Sequence, residues 1–249
     1  MGKLDGKIAL VTGSGRNIGR ATVLKLASEG AHVVVNARSN QEEADAVVRE
    51  AQARGVKALA VIADVAKRDQ VEAMVAKALS QFGRIDILIN NAAIRPHKPF
   101  RELSVQDWEA VRGVVLDGAI YCTRAVIDSM VANRYGRIVF FTGEGAFVGG
   151  SGRAHVSAAK MGLVGLARGL ASEFASDNIR VNVVSPGSID TSRANPEWYQ
   201  GRVPSAGGIP LGRQGTVDEI AATCLFLVSD DGGFVTGQTI HANGGTGYY

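Results

Sequence analysis

Residues 8–19 read Ile-Ala-Leu-Val-Thr-Gly-Ser-Gly-Arg-Asn-Ile-Gly, and this stretch decides the fold. Four apolar residues run directly into a glycine-rich turn, and a segment with the period of a helix follows at 18–29. Glycines in such a turn let the backbone approach a phosphate, while the free amides at the start of the helix attract negative charge. The stretch therefore predicts a strand–turn–helix unit that binds a dinucleotide.

The same alternation of strand and helix continues along the whole chain. The predicted strands are 8–12, 32–37, 58–63, 85–90, 137–142, 179–185 and 239–242. The predicted helices are 18–29, 41–54, 67–81, 105–133, 157–174 and 217–227. Nearly continuous apolar strands between helices predict an α/β fold, a Rossmann-type doubly wound parallel sheet of about seven strands. No change of composition divides the chain, so we expect one domain over 1–249. Within it, the Pro- and Gly-rich stretch 192–215 is expected to be a loop that covers the substrate.

Composition and charge narrow the classes of partner. Glycine supplies 31 of 249 residues, about 12% against a usual 7%, and the strand–helix turns account for much of this excess. The net charge is +3 without long runs of one sign, so we expect no nucleic-acid or membrane partner. Cys122 and Cys224 are far apart, and the four histidines show no zinc spacing, so we expect buried thiols and no metal. These features, with no signal-peptide pattern or membrane span in the sequence, favour a cytoplasmic protein.

At this point the sequence resembles the short-chain dehydrogenases/reductases over essentially its whole length. The motifs that carry the resemblance are Thr12-Gly13 through Gly19, Asp64-Val65, Asn90-Asn91-Ala92-Ala93, Arg180-Val181-Asn182, Pro186-Gly187 with Thr191, Thr236-Gly237-Gln238 and Gly244-Gly245. Asn17 replaces a glycine of the family's turn, and Asn tolerates positive φ better than most residues. Ala93 is a second departure. The resemblance implies a nicotinamide cofactor, a small-molecule substrate and a homo-oligomer of two or four chains packed through 105–133 and 157–174.

The resemblance also implies which residues bind the cofactor. They are Gly13, Gly15, Arg16, Asn17, Ile18, Gly19, Arg38, Asp64, Val65, Asn91, Ala92, Lys160, Pro186, Gly187, Ile189 and Thr191. Members of the family that prefer NAD carry an acidic residue where this chain has Ala37, and Arg38 follows it. Two guanidinium groups, on Arg16 and Arg38, suit the 2′-phosphate of NADP. We therefore expect NADP, with NAD as the alternative; both arginines could also be ordinary surface residues.

The catalytic residues are where the resemblance breaks. The family uses a tyrosine four residues before a lysine, a serine upstream of them and usually a helix asparagine. Lys160 is present, but Val156 stands at the tyrosine position, Gly143 at the serine position and Val115 at the asparagine position. Valine and glycine side chains cannot exchange protons with a substrate, so the usual chemistry does not carry over.

Polar residues flank the three replaced positions and offer other chemistry. Glu144 and His155 are candidates for a relocated acid/base pair, with Thr142 beside them. Both could instead be solvated surface groups. Arg95, His97 and Arg153 border the expected cleft and could bind a carboxylate or phosphate; Trp198 and Tyr199 fall in the expected covering loop.

Three functions therefore stay open. The first is an NADP-dependent oxidoreductase with a non-standard acid/base group. The second is a lyase, hydrolase or isomerase on the same scaffold, and the third is a nucleotide-binding protein without catalysis.

Overall fold

The computed structural model describes residues 2–191 and 207–249. Its strands are β1 Ile8–Val11, β2 His32–Ala37, β3 Ala58–Ile62, β4 Ile87–Asn90, β5 Gly136–Phe141, β6 Ile179–Pro186, β7 Ile189–Asp190, β8 Gly215–Thr216 and β9 Thr239–Ala242. Its α-helices are α1 Asn17–Ser28, α2 Gln41–Gln52, α3 Arg68–Phe82, α4 Val105–Arg112, α5 Gly118–Ala132, α6 Gly145–Val148, α7 Ala154–Phe174 and α8 Val217–Val228. A π-helical turn, Gly113–Asp117, joins α4 to α5.

Seven parallel strands form the main sheet in the order β3-β2-β1-β4-β5-β6-β9. This confirms the predicted doubly wound sheet. The strand order reverses between β1 and β4, and such a switch point leaves a crevice at the carboxyl ends of the strands. The short strands β7 and β8 pair with each other in a second, two-stranded sheet.

Helices cover both faces of the sheet because its strands are apolar on both sides. In β5, Ile138 and Phe140 face the core beneath α3, α4, α5 and α7. Val139 and Phe141 face the opposite core, beneath α1, α2 and α8. Side chains alternate across a strand, so one apolar run supplies both layers.

Local sequence sets the ends of several helices. Ser104 with Asp107 and Thr216 with Glu219 form capping boxes at the starts of α4 and α8. The glycines that follow three helical segments all have positive φ, as their C-terminal positions require; they are Gly30, Gly55 and Gly83.

Three elements differ from the sequence-based expectation. The predicted helix 105–133 is interrupted by the π-turn, which Arg112 and Asp117 bridge at a spacing of five residues, with 3.0 Å between Nε and Oδ2. The helix predicted at 157–174 begins earlier, at Ala154. A short helix, α6, lies between them and was not predicted. Hydrophobic periodicity does not show where a helix is interrupted or where a single short turn forms.

Both cysteines are free and buried, as predicted. Burial raises the pKa of each thiol to about 12. Among the described residues, no helix is long and apolar enough to cross a membrane, and no three metal-ligating side chains are grouped.

Arg180 is a buried cation that ties β6 to the end of α8. Its guanidinium donates to the carbonyl oxygens of Leu227 at 3.0 Å and Ser229 at 2.7 Å, and also to that of Gly232. Burial, and then the nearby Arg137, lowers the pKa of Arg180 to about 10. The carbonyl oxygen of Gly232 also accepts from the backbone N–H of Val235 at 2.9 Å, whereas the side-chain donor to those of Leu227 and Ser229 is Arg180.

We expect Arg180→Met to lower the free energy of unfolding by about 2–4 kcal/mol, because buried carbonyl groups lose their donors. Urea unfolding measures the change. Arg49→Met, exposed on α2, is the control and should stay within about 0.5 kcal/mol of the unmodified chain. Equal stability of the two variants would show that Arg180 does not stabilise the contact between β6 and the end of α8.

Candidate active site

Hydrogen bonds join the carboxyl ends of β1 and β4 at the switch point. Thr12 Oγ1 accepts from the backbone N–H of Asn91 at 3.0 Å and of Ala92 at 3.1 Å. In return, Asn91 Nδ2 donates to the carbonyl oxygens of Thr12 at 2.9 Å and Gly13 at 3.0 Å. The position of the glycine turn is therefore fixed from the neighbouring strand.

The glycine turn has the backbone that its sequence predicted. Asn17 has φ +51°, so asparagine adopts the left-handed conformation in place of the family's glycine. A Cβ at Gly19 would lie 2.5 Å from the carbonyl oxygen of Gly13, so only glycine fits where helix and turn meet.

The N-terminus of α1 is open to an anion. Arg16 precedes the helix without a side-chain cap, and no acidic residue lies in the first turn. By contrast α2, α4 and α8 are capped by the side chains of Asn40, Ser104 and Thr216. The first amides of α1 therefore lack the internal acceptors that those helices have.

The expected ribose end contains charges of both signs. Arg16 and Arg38 are exposed, and neither guanidinium group makes a hydrogen bond or ion pair with the described residues. Ala37, next to Arg38, is buried. A Cβ at Gly15 would lie 3.4 Å from Oε2 of Glu43, so one carboxylate also faces this turn.

The segments expected at the adenine and nicotinamide ends lie at the carboxyl edge of the sheet. Asp64 Oδ1 accepts from the N–H of Ala66 at 3.0 Å, and Val65 beside it is buried. At the other end, a Cβ at Gly187 would lie 2.7 Å from Cα of Asn243. Thr191 is buried, and Ile18, Ile189 and Pro186 are partly buried.

Lys160 is buried and points to the end of β5. Its Nζ donates to the carbonyl oxygen of Phe141 at 2.7 Å. Burial, and after it the positive charge of Arg95, lowers the pKa of Lys160 to about 7. An amine with such a pKa can hold or release a proton near neutral pH.

The three replaced family positions have different surroundings. Val156 and Val115 are 8% and 2% exposed and belong to the apolar core beneath α7 and α5. Gly143 has open space around it, because the nearest atom to a Cβ there would be the carbonyl oxygen of Pro186 at 3.8 Å. A serine would therefore fit at position 143.

His155 and Glu144 face different groups. His155 is 3% exposed, and in the described part of the chain neither ring nitrogen has a hydrogen-bond partner. Burial lowers its pKa; Asp107 raises it, and the charges of Arg153, His97 and Lys98 lower it. The partly buried Glu144 instead acts on His241, whose pKa burial lowers and Glu144 raises. The two candidates thus lie in separate surroundings, His155 toward the start of α4 and Glu144 toward β9.

Thr142 belongs to a row of polar side chains that crosses three strands. Thr142 directly follows the pair Phe141–Val184, which places it level with Ser185, and Ser185 pairs in register with His241. Thr142 Oγ1, Ser185 Oγ and His241 Nδ1 are buried without partners among the described residues. Sequence reasoning missed Ser185 and His241, although the strand register could have indicated them.

An open cleft of about 640 Å³ begins beside this row. It is lined by His241, Asn243, Gly245, Gly247, Tyr248 and Tyr249. The ring of Phe147 packs on His241 with 4.7 Å between centroids, and the ring of Tyr249 does so at 5.2 Å. Of the predicted covering loop 192–215, residues 192–206 lie outside the described residues, and Trp198 and Tyr199 with them.

The family model described as Enoyl-(Acyl carrier protein) reductase matches residues 13–247. The chain belongs to the short-chain dehydrogenase/reductase family. This member is 41% identical over 239 residues to the 3-oxoacyl-[acyl-carrier-protein] reductase FabG of Staphylococcus epidermidis, covering 96% of this chain and 98% of the relative. It is 42% identical over 244 residues to the (2S)-[(R)-hydroxy(phenyl)methyl]succinyl-CoA dehydrogenase subunit BbsD of Thauera aromatica, covering 97% of each.

A solved structure resembles this short-chain dehydrogenase/reductase over nearly its whole length. It is a crystal structure of a Sinorhizobium meliloti 1021 protein described as a short-chain alcohol dehydrogenase. The TM-score is 0.91 at 33% identity, covering 98% of this chain and 97% of that one. The likeness supports the same architecture for both.

We expect Lys160→Met to gain stability relative to the unmodified chain as the pH falls from 9.5 to 7. The pKa of Lys160 falls from 10.5 to about 7 on folding. The contribution of this group to the free energy of unfolding is therefore fully present above pH 10.5 and is lost as the pH falls toward 7. The relative gain should be on the order of 1–3 kcal/mol in urea unfolding without ligand. Lys77→Met, exposed on α3, is the control, and a stability difference independent of pH would contradict the buried amine.

Proposed function

We propose that this protein is an NADP(H)-binding oxidoreductase that acts on a small carbonyl or alcohol substrate with a non-standard acid/base group. The observation that carries the proposal is the turn before α1. Its backbone is left-handed at Asn17, leaves no room for a side chain at Gly19, and opens on helix amides without a cap. Relatives named as reductases and dehydrogenases support the same class of chemistry.

The residues at the carboxyl edge of the sheet fit a dinucleotide. The amides that open α1 would hold the pyrophosphate, Asp64 and Val65 the adenine, and Lys160 the nicotinamide ribose. When bound, the cofactor gives a hydride to a carbonyl carbon or takes one from an alcohol. The protein's part is to orient the substrate, exclude water and move the proton at the substrate oxygen.

We propose NADP rather than NAD because Arg16 and Arg38 offer two guanidinium groups beside Ala37. Glu43 opposes this preference, since a carboxylate near a 2′-phosphate is repulsive.

We expect the double variant Arg16→Gln/Arg38→Gln to raise the Kd of NADPH at least about tenfold, since each charged contact contributes about 1 kcal/mol or more. The Kd of NADH should change by less than about threefold. Fluorescence of the reduced nicotinamide measures both. Glu43→Gln is the matched control and should leave NADPH binding equal or tighter. A Kd for NADH below that for NADPH in the unmodified chain would overturn the preference.

The proton must come from a group other than those at positions 143 and 156. The lowered pKa of His155 leaves it neutral at pH 7, so it can accept a proton as alcohol oxidation requires. The backbone N–H of Glu144 donates to the carbonyl oxygen of Pro186 at 3.1 Å. Lys160, with a pKa of about 7, would support either group by its charge.

We expect His155→Gln or Glu144→Gln to lower kcat/KM at least about 100-fold, which is the usual contribution of general acid/base catalysis. The assay follows NADPH absorbance with the N-acetylcysteamine thioester of 3-oxobutanoate and with a panel of secondary alcohols. If His155 is the base, kcat/KM for alcohol oxidation rises with pH through an apparent pKa below the ordinary value of a histidine side chain, and this rise is lost in His155→Gln. Glu173→Gln, exposed at the end of α7, is the control. Full activity in both site variants would exclude a relocated acid/base group.

A second function, nucleotide binding without hydride transfer, is favoured by the burial of Val156 and Val115 in the apolar core. It predicts tight NADPH binding with no turnover on any panel substrate. Gly143→Ser/Val156→Tyr would then create turnover, because position 143 has space for the hydroxyl. Turnover that persists without nicotinamide would instead select the lyase, hydrolase or isomerase reading.

We also propose that the protein is a homo-oligomer. Val105, Ile120 and Met161, on the helices expected at the interface, are 65%, 40% and 39% exposed. Exposed apolar side chains on neighbouring helices favour burial against another copy.

A further inference from the structure

The N-terminus of α7 is open in the same way as that of α1. Helix α7 has 21 residues, Arg153 precedes it without a side-chain cap, and no acidic residue lies in its first turn. The first amides of such a helix carry partial positive charge and lack internal acceptors. On its own this feature does not indicate a ligand.

The second observation is the imidazole of His155, which lies in this first turn. It is 3% exposed, and both ring nitrogens are without partners in the described ranges. Buried polar groups in proteins are normally hydrogen-bonded, and one that is not calls for an explanation such as strain, a catalytic role, a water or a bound ion. His155 and the α7 amides thus offer unused donors at the same place.

Two loops surround His155 with positive charge. The N–H of Lys98 donates to the carbonyl oxygen of Gly152 at 2.9 Å, and the guanidinium of Arg153 donates to the carbonyl oxygen of Arg95. A Cβ at Gly152 would lie 2.4 Å from the ring of His97, so the loops meet closely only because residue 152 is glycine.

Among the described residues whose charges act on His155, Asp107 alone is negative, and its Oδ2 already lies 2.6 Å from Nζ of Lys98. Burial lowers the pKa of Arg153, and the charge of Arg95 lowers it further. An incoming anion would relieve this repulsion.

We propose that Arg153, His155 and the first-turn amides of α7 form an oxyanion site, which binds an acidic group of the substrate, a carboxylate or a phosphate. The inference rests on the proposed function for the existence of a substrate, with Glu144 then as its acid/base group, and anion binding itself can be measured without turnover. His155 and Lys160 are five residues apart, which is about 7.5 Å along the helix axis and about 140° around it. The acidic group would therefore bind away from the ribose beside Lys160.

The test is isothermal titration of the full chain, with saturating NADPH and again without it. The probes are sodium succinate, sodium phosphate and neutral succinamide, at one ionic strength set with sodium chloride. We expect succinate or phosphate to bind and succinamide not to bind. The tighter of the two anions identifies the acidic group as carboxylate or phosphate.

Substitutions distinguish specific anion binding at the proposed site from nonspecific attraction of anions to a positively charged surface. Arg153→Gln and His155→Gln should each weaken anion binding at least about tenfold, which corresponds to about 1.4 kcal/mol. Arg153→Lys, which keeps the charge and the fold of the loop, should weaken it less. Arg168→Gln on the outer side of α7 is the matched control and should bind the anion as the unmodified chain does.

Different outcomes of these experiments test the oxyanion site and the proposed function. Absence of anion binding, equal binding of succinamide, or unchanged binding by Arg153→Gln and His155→Gln would each overturn the oxyanion site. Loss of NADPH binding with anion binding intact would count against the proposed function and leave the site standing. Thermal unfolding of each variant shows that a loss of binding is not a loss of fold.

Discussion

The hydrogen bonds between Thr12 and Asn91 are the constraint on which the rest of the site depends. They join β1 to β4 where the order of the strands reverses, and they set the glycine turn against the end of β4. With the turn fixed there, α1 must begin beside the crevice, and Gly19 has no room for a side chain. The other residues of the cleft lie along the same edge of the sheet, because parallel strands end on the same side.

Helix α7 carries the second half of the site and the departures from the family's chemistry. Lys160 reaches back to the carbonyl oxygen of Phe141 and so fixes the helix against β5. Val156, one turn earlier, is an ordinary core residue that packs with the apolar cluster under the helix. The fold therefore tolerates the loss of a tyrosine there, because valine suits a buried helix face, while the proton that a tyrosine would supply is lost.

Much of the fold, and less of the site, could be predicted from the sequence. Continuous apolar strands and the turn at Asn17 follow from local chemistry, and the structure has both. The start of α7 and the separation of His155 from Glu144 do not. They depend on how the loop at 95–98 docks against Gly152 and on how β9 places His241 near Glu144. Such contacts join segments far apart in the chain, and periodicity carries no record of them.

Two costly buried groups of the structure lie in the first two turns of α7. His155 is buried without partners, and Lys160 is a buried amine with a lowered pKa. Between them stands Val156, which is fully compatible with the core. A segment under selection only for packing would favour apolar residues at all three positions. On the two proposals above, the free energy lost in folding would be regained when ligands bind, at the ribose beside Lys160 and at the acidic group beside His155.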